Sequence, residues 1–145
     1  MKGEYVTAVE DIWRRNGGTG DFAYLFSELE KFLELTRVVR TPIAVVSKTI
    51  DELWHAFICC TEAYQEYCLK TFGEYLHHRP RTDGFPVPAK SIRTFVTEYQ
   101  RAYGSVPSVW FDGVPPSVSA YAFGCGETIP ESYCWSGWPG RETRK

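Results

Sequence analysis

The sequence predicts an all-α fold: a bundle-like domain of four to five helices around one aromatic core, followed by an irregular C-terminal segment rich in glycine and aromatic residues. Three observations lead there. Apolar residues recur at helical spacing in successive segments. Clusters of glycine and proline separate those segments. Five Trp, nine Tyr and nine Phe among 145 residues supply large side chains that each require a close-packed pocket. A chain of this length forms one domain with enough core to fold without cross-links. The helical domain is placed at residues 1–111. Residues 112–145 form the irregular segment, packed on that domain or on a partner.

The elements follow in order. Tyr5 to Arg15 form a short helix that stops at Asn16-Gly17-Gly18-Thr19-Gly20. Asp21 is the N-cap of a second helix, whose Phe22, Leu25, Phe26, Leu29, Phe32 and Leu33 recur on one face. This helix runs to about Val38, and Arg40-Thr41-Pro42 prevents its continuation, because the residue before proline avoids helical geometry. Ile43 to Val46 reads equally as a buried extended link or an early helical turn. Ser47 is the next N-cap, with Asp51 and Glu52 early in the helix, where the dipole favours acids. Ile50, Leu53, Trp54, Phe57 and Ile58 make its apolar stripe. Thr61 restarts a helix after a bend at Cys59-Cys60, with Tyr64, Tyr67, Cys68, Thr71 and Phe72 on its face. Gly73 either caps this helix or sits within it, and Arg79-Pro80 marks the exit. Pro80 to Pro88 is a turn-rich loop. Ile92, Phe95, Val96, Tyr99 and Tyr103 then define a last amphipathic helix, with Gly104 as its C-cap. After Ser105 the periodicity stops, but Trp110, Phe111, Tyr121, Phe123, Trp135 and Trp138 make the segment too apolar for a solvated linker.

Bulk chemistry narrows the function. The net charge is −2 and no basic stripe is present, which disfavours nucleic acid as a partner. The N-terminus lacks a signal-peptide core and no apolar run spans a bilayer, so no membrane partner and a cytoplasmic location are expected. Five cysteines (Cys59, Cys60, Cys68, Cys125 and Cys134) are an odd number, three of them in or near helices. They read as buried, inert thiols of a reducing compartment, although Cys125 and Cys134 are spaced to bridge a tail loop. Gly17-Gly18-Thr19-Gly20 neither follows a strand nor carries the Gly-Lys-Ser/Thr ending of a phosphate loop.

The chemistry concentrates in one stretch. All three histidines, His55, His77 and His78, fall within residues 51–80. Histidine is the side chain that most readily binds a metal or moves a proton near neutral pH. Asp51 and His55 lie one helical turn apart, and Glu62 falls on the same line if the helix runs on. An Asp four residues before a His can accept the imidazole N–H and fix which ring nitrogen is free. His77 and His78 come from the end of the following helix, which an antiparallel hairpin folds back toward Asp51. The candidate metal ligands are therefore His55, His77, His78 and Asp51, a nitrogen and oxygen set suited to zinc, iron or manganese. Copper or zinc gains if Cys60 or Cys68 joins. The bland alternative is that Asp51 holds a boundary His55, while His77 and His78 cap a helix C-terminus.

These residues also resemble a family. Asp51-x-x-Trp54-His55-x-Phe57-Ile58-x-x-Thr61-x-x-Tyr64-x-x-Tyr67-Cys68, followed by Phe72-Gly73-x-x-Leu76-His77-His78-x-Pro80, is similar to the core signature of the glycine-rich domain-containing protein-like family, in particular its short, uncharacterised bacterial members. Thr94 to Tyr99 and Tyr103-Gly104-x-x-Pro107-x-x-Trp110 are similar to that family's next helix and its Pro-x-x-Trp ending. The likeness covers roughly residues 21–111. It implies no particular reaction. Larger plant relatives add glycine-rich and RNA-binding segments that this chain lacks, and many relatives carry a second His where Phe57 stands.

Three functions follow from the residues. One is a small transition-metal-binding protein, acting as a metal-dependent enzyme on a small-molecule substrate, with His55, His77 and His78 as ligands and Asp51 as ligand or orienter. The second is a non-catalytic module whose aromatic tail docks a protein partner. The third is a metal-free enzyme with His55 and Asp51 as the catalytic general-base pair.

Overall fold

Asp21 and Ser47 each open a helix by accepting a backbone N–H with the side chain: Asp21 from Tyr24 at 3.2 Å and Ser47 from Ile50 at 3.1 Å. Those two caps set the register of the helices that build the core. The structure, a computed structural model, describes residues 3–41, 43–79, 89–111 and 134–137. Among them are five α-helices: α1 (Gly3–Arg15), α2 (Phe22–Val38), α3 (Lys48–Cys59), α4 (Thr61–Phe72) and α5 (Ala89–Tyr103). A 3₁₀ turn follows over Ser108–Phe111. The all-α class therefore holds, and the expected element boundaries fall within a few residues of those observed.

Helix α3 is the hub. It packs against α1, α2, α4 and the 3₁₀ turn, while α5 lies against α2. Phe32 of α2 shows why the aromatic content is high: its ring meets Trp54, Phe95 and Trp110 at 5.4, 6.0 and 5.9 Å between centroids. Aromatic pairs at such separations add to the apolar burial itself. Trp110 is fully buried, so the segment after Ser105 belongs to the core at least through this residue.

Helical patterning did not anticipate a small antiparallel sheet. The strands are β1 (Ala44–Val45), β2 (His77–Arg79) and β3 (Cys134–Gly137), in spatial order β1-β3-β2. Ile43 to Val46 is thus the extended link, buried along its whole length. Strands of two to four residues are too short to show a period of two. Strand β3 comes from the C-terminal segment and pairs with both others: Ala44 opposite Trp135, and His78 opposite Ser136. Cys125 of the Cys125–Cys134 pair, the Pro80–Pro88 loop, and Tyr121, Phe123 and Trp138 lie outside the described residues. No helix among the described residues is long and apolar enough to cross a membrane.

Candidate metal centre

The centre is assembled from α3 and β2. Ser47 fixes the start of α3, which sets Asp51 and His55 one turn apart on the same flank. Placement of β2 takes more. Helix α4 ends at Phe72, where Gly73 adopts a φ of +81° and donates its N–H to the Leu69 carbonyl at 3.0 Å. The chain then turns to fully buried Leu76. Two histidines expected at the end of a helix are instead in a strand, a correction that follows from the left-handed glycine closing α4 before they are reached.

A buried relay holds this turn. Trp54 donates its indole N–H to the Tyr64 hydroxyl at 3.1 Å, and Tyr64 donates to the Leu76 carbonyl at 2.7 Å. Cys68 lies at the same point: burial pushes its thiol up, against hydrogen bonding to the Leu76 backbone and to Tyr64. Arg40 and Glu74 form an ion pair that ties the turn to the end of α2. Trp54, Tyr64 and Cys68, which sequence patterning assigns to packing stripes, therefore also position the strand that carries His78.

Strand alternation separates the two adjacent histidines. His78 turns toward α3. Its Nε2 lies 2.7 Å from Asp51 Oδ1, and its ring meets Trp54 and His55 at 4.4 Å between centroids in each case. His55 Nε2 lies 3.4 Å from Asp51 Oδ2. One ligand atom from each of Asp51, His55 and His78 can be chosen so that all lie within 4.8 Å of one another. His77 stands outside this group, with its ring 5.3 Å from that of Tyr75. Cys60 and Cys68 are not in it either, and burial pushes the Cys60 thiol up as well, away from the thiolate form that binds metals. Glu62 is also absent, because the bend at Cys60 (φ −85°, ψ 70°) breaks the line from α3 into α4. Cys59 is exposed rather than buried as expected.

Burial grades across the group. The side chains of Asp51 and His78 are 6% and 8% exposed, whereas that of His55 is 49% exposed. The open side faces a cleft of about 370 Å³, lined by His55, Ile58, Cys59, Tyr75, His77 and His78. Burial lowers the His55 imidazole below its ordinary 6.5, and the neighbouring His78 pulls the same way, while Asp51 opposes them. Burial therefore favours the neutral imidazole, the form that offers a lone pair.

The spacing suits a small ion. With metal–ligand bonds of ~2.0–2.1 Å, donor atoms of a tetrahedral site sit ~3.3 Å apart. The His55–Asp51 pair is at that distance already. His78 contacts the other carboxylate oxygen, Oδ1, at 2.7 Å; that hydrogen bond must open for His78 Nε2 to ligate, or Asp51 acts as the orienter of His78.

A second buried polar group was not anticipated. Glu28, 1% exposed, accepts from Tyr99 Oη at 2.7 Å, Trp110 Nε1 at 2.8 Å and Lys31 Nζ at 2.9 Å. It joins α2, α5 and the 3₁₀ turn. The signal was in the sequence: Glu28 stands between Leu25 and Phe32, an acid in the middle of an apolar stripe.

Comparison with known proteins adds one relationship. No curated protein and no solved structure matches the chain. A family model described as UCP032817-like matches residues 14–87, which is just over half of the 145 residues and includes Asp51, His55, His77 and His78. The chain belongs to the UCP032817-like family.

Proposed function

We propose that this chain binds a divalent transition metal ion through Asp51, His55 and His78 and works as a small metal-dependent protein. One observation carries the reading: residues 27 positions apart in sequence, on two elements, bring two imidazoles and a carboxylate within 4.8 Å of one another. Two nitrogens and an oxygen, without a thiolate, favour zinc, iron or manganese over copper. Three protein donors leave coordination positions open, as reactive rather than purely structural sites do. His77 serves beside the ion, not on it. The free thiols of Cys59, Cys60 and Cys68 suit a reducing, cytoplasmic setting, and the resemblance of residues 51–80 to the glycine-rich domain-containing protein-like signature would extend this reading to that wider group. Elemental analysis of gently purified protein, wild type beside His55→Ala, tests the reading. The wild type is expected to carry about one metal ion per chain and the variant to lose it. A metal-free wild type that gains no stability from zinc, iron, manganese or copper defeats it.

One observation favours a second reading. The Asp51–His78 hydrogen bond and the Trp54 ring against His78 already join α3 to β2 without an ion. In that case the histidines are structural, and the chain acts as an interaction module through its C-terminal segment. Its mark is a His55→Ala protein unchanged in metal content and stability, with self-association or partner binding lost when residues 112–145 are removed. The deletion spares Trp110, which is part of the core, but removes β3, so retention of the helical fold is checked by circular dichroism beside the binding readout.

A further inference from the structure

The metal reading leaves open what approaches the ion, and the cleft beside His55 carries an answer. Asp51 and His78 form the buried floor of the centre, and half-exposed His55 is the part of the donor set that reaches water. Ligand access is therefore from the side of the cleft, over Ile58, Cys59, Tyr75 and His77. Among the described residues, none that lines it is Asp, Glu, Lys or Arg. Lys48 and Glu52, whose charges also act on His55, pair with each other at 3.7 Å and offset one another. A divalent ion held by the single Asp51 carboxylate keeps one uncompensated positive charge. In a partly desolvated cleft that charge is best met by one negative charge and no more, since a second would be left unpaired. Ile58 and Tyr75 offer apolar contact, and the His77 imidazole a hydrogen bond. The volume of about 370 Å³ is at the small end of the range for ligand pockets.

Resting on the metal reading, we infer that the cleft is the ligand-binding side of the centre and takes a small monoanion directly on the metal. Cys59, exposed at the end of α3, borders the path but does not ligate.

The test uses the full chain loaded with Co(II), whose visible spectrum reports changes in coordination. Azide and acetate are the monoanionic probes, with imidazole and sulfate as neutral and dianionic controls. Azide and acetate are expected to change the spectrum saturably, and the controls to need at least tenfold higher concentration. Cys59→Trp, which fills the cleft from an exposed position, is expected to bind Co(II) as the wild type does and to lose the azide response. Cys59→Ala is expected to keep it, and His77→Ala to weaken azide several-fold. A Co(II) spectrum indifferent to azide and acetate overturns the inference while leaving the metal reading standing. So does a response equally strong to sulfate or imidazole, or one surviving in Cys59→Trp. Failure of Co(II) to bind at all overturns the metal reading itself, and the two failures are thereby distinct.

Discussion

Tyr64 and Glu28 illustrate how single polar atoms decide the interior of this protein. The Tyr64 hydroxyl accepts from Trp54 and donates to Leu76, all within the core. Tyr64→Phe leaves both of those groups without their partner, and should cost about 1–3 kcal/mol in denaturant unfolding. It should also weaken metal binding by about tenfold, because the turn that presents His78 is loosened. Glu28 combines burial with charge. Burial acts to raise its carboxyl, but hydrogen bonds from Trp110, Lys31 and Tyr99 outweigh it and hold the group below its ordinary 4.5. A carboxyl with a folded value below its unfolded one contributes stability that is present above 4.5 and is lost as pH falls through the lower, folded value. Acid unfolding of the wild type should therefore be steeper than that of Glu28→Gln. At pH 7 the same variant should be less stable by about 2–3 kcal/mol, since it weakens one charged contact and misplaces donors around another.

At the scale of elements, β3 has the most consequence. It is the middle strand, between β1, which leads through Ser47 into the helix of Asp51 and His55, and β2, which carries His78. The two halves of the donor set are thus bridged by residues 134–137, far from either in sequence. Proline in a central strand removes a ladder hydrogen bond. Ser136→Pro should lower metal affinity by roughly 10- to 100-fold, the range typical of losing support around a metal ligand, while the helical signal in circular dichroism persists. Gly73 supplies the other control on β2. Its φ of +81° is one that alanine adopts only at a cost, and Gly73→Ala should destabilise the chain by about 1 kcal/mol. Both positions show what the sequence could and could not tell. Helices were legible because Leu25, Leu29 and Phe32, or Ile92, Phe95 and Tyr99, repeat the 3.6-residue period over many turns. The sheet was not, because two or three residues carry no period and pairing is decided by partners over fifty residues away.

For the molecule as a whole, the candidate site was half legible. Asp51 and His55 share one helix, and their neighbourhood follows from spacing alone. The choice between His77 and His78 did not, because it depends on whether the chain there is helical or extended, and Gly73 reads as either a cap or an interior residue until its φ is known. The match to the UCP032817-like family covers residues 14–87 and so includes Asp51, His55 and His78, whereas β3 lies beyond it. The centre sits where α3, the hub of the helical packing, meets the sheet. An ion bound there cross-links two layers of the fold and should raise the thermal midpoint reversibly, with a chelator undoing the gain. The most direct measurement is calorimetric titration of zinc into metal-stripped wild type, His55→Ala and His77→Ala. His55 and His77 both border the cleft, so neither replacement opens the core, and only one of them belongs to the donor group. Wild type and His77→Ala are expected to bind one ion per chain with affinities within about tenfold, and His55→Ala to lose more than about 100-fold. Zinc bound by His55→Ala as tightly as by the wild type, or lost equally in His77→Ala, would contradict the assignment.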